Sequence, residues 1–260
     1  MNSASDHGQQ RSLVCAPSLV DFALMAESLP SIAQAVQVAE VCRRALLALH
    51  RVPSQTLAGK DALGTPLTQQ HRHAHYIPDC RGFDPLRMTH LVVYAPGGFS
   101  SSELQTLMSL SQLSRTAGPL AVVPQAVGRP DILALSSRLF GSYRRFASRT
   151  PFVLPRHRKR GDEPEDQLVR ELRLRGLPAP IHIARTTGLL TPSQPLLPWS
   201  QFVISRRHDE VTTCDRGFGF RIEFAEPVAG PLLLGYGCHY GLGQFVPHGT
   251  AAESESTVQK

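Results

Sequence analysis

Long apolar runs, a signal-peptide core and paired cysteines are all missing from this chain of 260 residues. No stretch of about 18 apolar residues occurs, so the sequence predicts no membrane-spanning helix. The N-terminal residues MNSASDHGQQR are polar and lack the apolar centre of a signal peptide. The five cysteines are scattered without a C-x-x-C pair, which is typical of a reducing compartment rather than a disulfide framework. We therefore expect a cytoplasmic protein that makes no membrane contact.

Acidic residues are absent from residues 132–161, although the whole chain carries 21 Asp and Glu against 27 Lys and Arg. Only three of the basic residues are lysines, a skew that genome composition alone can produce, so the missing acids are the more informative signal. A basic surface of this kind attracts a polyanion, and we expect a nucleic acid as the partner, with an ordinary solvated surface as the alternative. The basic side chains in this stretch are Arg138, Arg144, Arg145, Arg149, Arg156, Arg158, Lys159 and Arg160.

The order of apolar patterns along the chain predicts a mixed α+β fold. Residues 32–51 and 162–176 have helical spacing, and Ser100 with Glu103 forms a capping box at the start of a third helix, which is predicted to extend to about Arg115. Apolar runs that predict strands surround these helices; they are residues 87–95, 120–123, 150–154, 181–185, 201–205 and 218–224. Strand–helix–strand units of this kind favour a ferredoxin-like arrangement.

Glycine is concentrated near the C-terminus, in the sequence LLLGYGCHYGLGQFV of residues 232–246. Glycine permits positive φ angles and a close approach of the backbone to a phosphate or to another chain segment. The spacing differs from the G-x-G-x-x-G of dinucleotide-binding proteins, and no Gly-Lys-Ser/Thr of a phosphate-binding loop follows. The pattern predicts a glycine-rich hairpin in which Tyr236 and Tyr240 either stack on bases or fill the hairpin by aromatic packing.

Three histidines alternate in the sequence HRHAHYIP of residues 71–78. If this segment is extended, His71, His73 and His75 share one face of a strand, roughly 6–7 Å apart. Neighbouring imidazoles on one strand face can chelate zinc, which is one interpretation of the spacing. Histidines that hydrogen-bond a nucleic acid or the backbone, without any chemistry, are another.

Six blocks of the sequence, in this order, resemble CRISPR-associated proteins of the RAMP superfamily. The blocks are GKDALGTPLTQQHRHAHYIP, HLVVYAPGGFS, TPFVLPRHRKR, DEPEDQLVRELRLRGLP, GFGFRIEF and GPLLLGYGCHYGLGQFVP. They resemble the carboxyl half of the Csb-two or GSU-type fusion family of type I-G systems (formerly I-U), which joins a Cas-five-type module to a Cas-six-type endoribonuclease. The amino-terminal module has no counterpart in this sequence. We therefore assign residues 1–37 to an accessory or poorly ordered segment, 38–248 to the RAMP-type domain and 249–260 to a disordered tail.

The resemblance implies two ferredoxin-like subdomains and a glycine-rich loop, here residues 235–243, that contacts RNA. It also implies metal-independent cleavage of CRISPR repeat RNA, without a cofactor, that leaves a 2′,3′-cyclic phosphate and a 5′-hydroxyl. Two further interpretations stay open: a non-catalytic crRNA-binding subunit of a type I interference complex, and an RNA-binding module unrelated to CRISPR. The expected partners are repeat RNA or crRNA and, within such a complex, other type I-G subunits.

Cleavage of this type needs a base, an acid and cations near the phosphate. Histidine suits the proton transfers because its pKa lies near neutrality. We expect His73 or His75 to carry them, with His71 as the third choice, and Lys60 to stabilise the phosphate. His239 in the glycine-rich loop is a further candidate, although a bond from its side chain to the backbone is the more ordinary role.

Residues 156–160 supply the predicted phosphate contacts, because the guanidinium fork matches a phosphate bidentately. A solvated loop is the alternative. No metal ligand is assigned. The predicted RNA-binding residues are Arg144, Arg145, Arg156, His157, Arg158, Lys159, Arg160, Gly235, Tyr236, Gly237, His239, Tyr240, Gly241 and Gly243.

Overall fold

The computed structural model describes residues 16–61, 63–67, 71–191, 194–205 and 216–249. The chain forms two large antiparallel sheets and one small two-stranded sheet. Residues 1–15 and residues 250–260 of the predicted tail lie outside the described residues. Within the described ranges, no helix is long and apolar enough to cross a membrane.

The N-terminal part of the chain folds into one helix-covered sheet. Its elements are β1 (Leu19–Met25), α1 (Ala35–Leu49), α2 (Gln55–Ala58), β2 (His75–Asp79), β3 (His90–Tyr94), α3 (Ser101–Met108), β4 (Gln112–Leu113) and β5 (Leu120–Gly128). The strands lie in the order β2–β3–β1–β5–β4, and every neighbouring pair is antiparallel. The path β1–α1–β2–β3–α3–β5 with this strand order is the ferredoxin-like arrangement.

The C-terminal part repeats this plan with one change. Its elements are β6 (Ser142–Ser148), β7 (Phe152–Val153), α4 (Pro164–Leu174), β8 (His182–Thr186), β9 (Gly188–Thr191), β10 (Gln194–Pro198), β11 (Gly217–Ala229), β12 (Leu232–Leu233) and β13 (Gln244–Pro247). Strands β8, β11, β6 and β13 lie side by side, which matches the order β2, β3, β1 and β5. Between β11 and β13, a single 3-10 turn at Cys238–Tyr240 occupies the place of the second helix. The predicted α+β fold with two ferredoxin-like subdomains is confirmed.

The helices form where the sequence pattern places them. Val38, Cys42 and Leu46 recur at helical spacing on α1 and are buried against the first sheet. Burying one such large apolar side chain stabilises the fold by about 1.5–3 kcal/mol. The capping box of Ser100 and Glu103 is present at the start of α3.

The central strand of the first sheet lies in the segment that we predicted to be accessory or poorly ordered. Leu19, Val20 and Phe22 of β1 are fully buried between β3 and β5. The prediction for residues 1–37 is therefore wrong from residue 19 onwards. A short apolar run between two prolines can be a buried strand or part of a helix, and periodicity does not decide between them.

Smaller predictions also differ from the structure. Residues 201–205 form no strand, and the helix that begins at Ser101 ends at Met108, before β4. Strand β5 extends beyond the predicted residues 120–123, and β6, within the basic stretch, was not predicted. Arginine-rich strands such as β6 lack the apolar alternation on which the prediction depended.

The two domains meet on the face of the first sheet that its helices leave open. Ile77 and Val92 on this face pack with Leu233 and Cys238 of the second domain. The chain between β12 and β13 also contacts α1, because Val36 packs with residues of this connection. The junction thus lies along β2, the edge strand of the first sheet.

Candidate active site at the domain junction

The glycine-rich loop, residues 235–243, lies with Leu234 in the connection from β12 to β13 and packs against β2 and α1. Gly235, Gly237, Gly241 and Gly243 all have positive φ angles, between 58° and 85°. A β-carbon on Gly243 would collide with the backbone of Leu234, and one on Gly241 would lie 2.7 Å from Pro78. Glycine is required at these positions because it allows the loop to fold tightly against the first domain.

Most of the glycine-rich loop is buried, and its backbone bonds within the protein. The N–H of Tyr236 donates to the Val153 carbonyl at 2.9 Å, and that of Gly243 donates to the Pro151 carbonyl at 2.9 Å. The predicted hairpin is therefore present in its paired strands β12 and β13, but its tip is a compact buried loop. The amides of Tyr236 and Gly243 are already used and do not face a ligand.

His239 of the glycine-rich loop lies among the three histidines of residues 71–75. Its ring stacks on His73 with centroids 3.7 Å apart and on His75 at 3.8 Å. The ring of His71 is 5.1 Å from that of His239. Only His75 belongs to β2, whereas His71 lies in a turn with a φ of 52°, so the segment is not one continuous strand. We call these four side chains the histidine cluster.

Hydrogen bonds fix the tautomers of two members of the histidine cluster. Nδ1 of His239 lies 3.1 Å from the carbonyl oxygen of Ala74, which can only accept, so the proton is on Nδ1 and the lone pair on Nε2. Nδ1 of His71 lies 2.8 Å from this Nε2 and donates to it. The lone pair of His71 is then on its own Nε2, for which the described residues offer no hydrogen-bond partner.

Burial keeps the histidine cluster neutral at neutral pH. Desolvation is the largest cause for all four side chains, and with the Arg175 guanidinium it lowers the pKa of His71 to about 4. Desolvation lowers the pKa of His73 to about 4 and that of His75 to about 3. The pKa of His239 falls well below its usual range for the same reason. Neutral imidazoles accept protons and bind metals.

His75 differs from its neighbours because it is only 3% exposed. Its Nδ1 lies 3.4 Å from the Cys238 carbonyl and its Nε2 lies 3.3 Å from the His71 carbonyl. A neutral imidazole donates from one nitrogen only, so one of the two contacts is a hydrogen bond at any moment. His75 thus positions the loop and the turn, whereas the other three histidines are half-buried. Nδ1 of His73 is buried without a partner among the described atoms.

Two arginines that the sequence analysis did not assign to the site lie beside the histidine cluster. Arg175, directly after α4, donates to Cys238 Sγ and to Glu171, both at 3.4 Å. Its Nε is buried and has no hydrogen-bond partner in the described part of the chain. Arg43 of α1 lies over the Tyr240 ring, 6.0 Å from its centroid. No local pattern in the sequence relates Arg175 to the histidines, so sequence reasoning could not find it.

Lys60 is exposed, in a short loop where it forms a bridge with Pro66. The preceding Gly59 has a φ of 66°, and a β-carbon there would lie 2.6 Å from Cδ2 of His73. Gly59 therefore lies directly against the His73 ring. A role for Lys60 at the phosphate stays a prediction.

The predicted phosphate-contacting residues 156–160 are exposed and follow soon after β7. An isolated bridge joins Val153 of β7 to Tyr236, so this segment leaves the sheet beside the glycine-rich loop. Arg158 pairs with Glu163. Arg156 forms no ion pair with any residue that the structure describes, so it is available to a phosphate.

Arg144 and Arg145 lie on β6, away from residues 156–160 in the chain. Arg144 pairs with Glu226 at 3.3 Å and Arg145 with Glu223 at 3.0 Å. Exposed pairs of this kind contribute less than about 1 kcal/mol, so a phosphate can replace the carboxylate at little cost. RNA contacts by these two arginines stay predictions.

The two tyrosines of the glycine-rich loop are half-buried at the junction. The ring of Tyr240 stacks on that of Tyr76 with centroids 6.4 Å apart. Aromatic packing, one of the two roles that the sequence left open, therefore accounts for Tyr240. Base stacking by Tyr236 or Tyr240 stays a prediction.

Among the described residues, His71, Cys238 and His239 are placed to hold a metal ion. One ligand atom from each lies within 4.8 Å of the other two. This set differs from the H-x-H-x-H chelate considered from the sequence, because His73 and His75 do not belong to it.

No family model matches this sequence, and no curated protein matches it. Three solved structures are similar to 90% of this chain over 100% of their own length. They are a Cas6 product complex (13% identity, TM-score 0.40), a CRISPR associated protein Cas6 (9%, 0.42) and a RAMP protein binding different RNA substrates (12%, 0.40). At these values the similarity carries no argument about activity or substrate, and the fold assignment rests on the strand order.

Proposed function

We propose that this chain cuts CRISPR repeat RNA as a metal-independent endoribonuclease, leaving a 2′,3′-cyclic phosphate and a 5′-hydroxyl. The observation that supports this most is the histidine cluster, in which imidazoles from both domains meet and the two proposed catalytic side chains, His71 and His73, are only half-buried. The resemblance of six sequence blocks to RAMP proteins supplies the substrate class.

His71 is the proposed general base, since its Nε2 carries a lone pair without a partner among the described residues. It takes the proton of the 2′-hydroxyl, the 2′-oxygen bonds to phosphorus, and the bond from phosphorus to the 5′-oxygen breaks. His73 is the proposed acid that gives a proton to the leaving 5′-oxygen. Because the pKa of His73 is about 4 in the free protein, the bound phosphate has to raise it, as a nearby anion does. The geometry favours these two over the buried His75.

Arg175 is the proposed cation for the charge that develops on the phosphate. Its buried Nε has no partner within the described chain, and its guanidinium lies beside Cys238 and the histidine cluster. A preorganised cation at that position stabilises the transition state more than the substrate. Residues 156–160 follow β7, whose Val153 forms a bridge with Tyr236 of the loop, and they are proposed to bind the flanking RNA backbone.

The test is cleavage of the repeat RNA encoded beside the gene, with purified protein in EDTA and with both product ends mapped. We expect one cut that leaves a cyclic phosphate. His71→Ala and His73→Ala should each reduce cleavage about 10²–10⁴-fold, the usual share of general acid–base catalysis, while RNA binding is retained. His182→Ala is the matched control, because this histidine is exposed on β8, outside the cluster. Unchanged cleavage in both His71→Ala and His73→Ala would contradict the roles proposed for these histidines. A cut that needs added metal would contradict metal independence.

A second candidate function is a non-catalytic crRNA-binding subunit of a type I-G interference complex. One observation favours it: burial lowers the pKa of all four clustered histidines, so no imidazolium is present at neutral pH to act as the acid before RNA binds. Tight binding of the repeat RNA without any cut, in EDTA and with metals, would support this candidate over the nuclease.

A further inference from the structure

We propose that His71, Cys238 and His239 form a zinc site at the domain junction. One ligand atom of each side chain lies within 4.8 Å of the other two, and Cys238 is buried. Two imidazoles and a thiolate are a ligand set that Zn²⁺ accepts, and three protein ligands leave a fourth position for water or substrate. Neither the alternation of histidines at residues 71–75 nor the proposed cleavage assigns this site.

Two nitrogens of the set already share a proton where the metal would bind. Nδ1 of His71 and Nε2 of His239 are 2.8 Å apart. Two nitrogens bound tetrahedrally to zinc at about 2.0–2.1 Å are about 3.3 Å apart, so the rings have to separate by about half an ångström. His71 is half-buried and lies in a turn, so this movement leaves the core unchanged. Zinc takes the place of the shared proton, and His71 stays neutral because its proton moves to Nε2. The proton that is released to solvent is that of the Cys238 thiol.

The surroundings orient His239 as the outer shell of a metal site does. Its Nδ1–H donates to the Ala74 carbonyl at 3.1 Å, the kind of contact that metal-bound histidines make with their other ring nitrogen. The rings of His73 and His75 lie on either side of it, at 3.7 and 3.8 Å between centroids, and restrict its rotation. Nε2 is therefore held towards His71 and Cys238 before any metal arrives.

Cys238 determines which metals fit. Burial raises the pKa of the Cys238 thiol, and the Arg175 guanidinium, 3.4 Å from Sγ, only partly opposes this rise. A bound Zn²⁺ deprotonates a coordinating thiol itself. Thiolate and imidazole ligands favour Zn²⁺, whereas Mg²⁺ prefers oxygen ligands and retains several waters. The site should therefore bind zinc in the presence of excess magnesium.

Zinc at this site competes with the proposed cleavage, a consequence that rests on the proposed function. A metal on Nδ1 of His71 breaks the hydrogen bond to His239 and places the ring proton on Nε2 of His71. Nε2 then has no lone pair with which to accept the proton of the 2′-hydroxyl. Zinc should therefore inhibit the cut, and EDTA should restore it. Zinc binding itself needs no RNA and no activity, so it is measured separately.

The experiment titrates Zn²⁺ into EDTA-treated, buffer-exchanged full-length protein by calorimetry, and Co²⁺ in parallel by absorption spectroscopy. We expect one strongly bound equivalent, with a thiolate-to-cobalt charge-transfer band that Cys238→Ser removes. His71→Gln and Cys238→Ser should each weaken zinc binding more than about 100-fold, because even outer-shell changes cost about 10–100-fold. Cys80→Ser and His182→Gln are the matched controls and should bind zinc as the unmodified chain does.

Absence of zinc binding, or affinity unchanged in both ligand variants, would overturn the site. Thermal unfolding in EDTA identifies any variant that fails to fold. His71→Gln changes a half-buried side chain and keeps the test decisive even if Cys238→Ser unfolds. If the RNA is never cut, the proposed function fails while the zinc titration still supports or overturns the site.

Discussion

Arg149 joins the two domains through a buried ion pair, and its replacement tests how the domains are held together. The guanidinium donates to Oδ1 of Asp79 and to Oε1 of Gln244, both at 2.7 Å. Asp79, at the end of β2, is 1% exposed, and Arg149 is 6% exposed. Oδ2 of Asp79 also accepts from Arg81 at 2.7 Å and from Ser137 at 2.5 Å.

Arg149→Met keeps an extended side chain and removes the charge and the donors. Removing one partner of a buried pair costs about 3–5 kcal/mol, because the remaining charge stays buried. Asp79 keeps Arg81 as a partner, so we expect a loss in the free energy of unfolding near the lower end, about 3 kcal/mol. For a chain of this size, this corresponds to a decrease in Tm of about 6–12 °C.

Urea and thermal unfolding of the unmodified chain and of Arg149→Met measure this loss in the free energy of unfolding. The matched control is Arg144→Met, which removes an exposed pair with Glu226 at 3.3 Å and should cost less than about 1 kcal/mol. Equal losses in the two variants would refute the reasoning, because the buried pair would then contribute no more than a surface pair. In the double variant Asp79→Asn, Arg149→Met, the losses should add to less than the sum of the single changes, since the two side chains are in contact.

Three further predictions concern the pH dependence of stability, Gly59 beside the His73 ring, and phosphate contact by Arg156. Burial alone would raise the pKa of Asp79, but the neighbouring arginines outweigh it and lower the pKa to about 2. The contribution of Asp79 to stability is therefore complete above about pH 4 and is lost as the pH falls towards about 2. In Asp79→Asn, the free energy of unfolding should not show this decrease between about pH 4 and about pH 2. Gly59→Ala places a β-carbon 2.6 Å from the His73 ring, so it should displace this ring and reduce cleavage. Gly64→Ala is the control, because Gly64 also has a positive φ angle but has open space around it, and this change should reduce cleavage less. Arg156→Ala should lower the log–log salt slope of RNA affinity by about 0.7, and an unchanged slope would exclude this residue from phosphate contact.

The histidine segment shows how far the sequence alone predicts the candidate site. The alternation of His71, His73 and His75 marked the segment as chemically important, and His239 was a further candidate because glycines surround it. Their contact depends on the connection between β12 and β13 folding back onto β2, which positive-φ glycines permit but no local period encodes. Arg175 was missed for the same reason, because its position comes from the packing of α4 in the other domain.

The strand β1 shows a different limit. Its sequence, LVDFALM, carries an aspartate that looks incompatible with a strand buried on both faces. Asp21 is buried because Arg81, 60 residues away in the chain, donates to both of its carboxylate oxygens at 2.8 and 2.9 Å. A buried charge of this kind is stable only with its partner in place, so the strand is recognisable only once the sheet is assembled.

The buried ion pair and the histidine cluster are attached to the same two elements. β2 begins at His75 and ends at Asp79, and the glycine-rich loop that carries His239 is followed at once by Gln244, which Arg149 holds. Loosening Arg149 should therefore let the loop shift along β2 and separate His239 from the strand histidines. A misplacement of about 1 Å can lower a reaction rate about 10²-fold. Arg149→Met should thus weaken both cleavage and zinc binding at temperatures where the protein is still folded, whereas Arg144→Met should leave zinc binding unchanged. If cleavage and zinc affinity both survive in Arg149→Met, the stacking of the rings alone holds the loop in place, and the two features are independent.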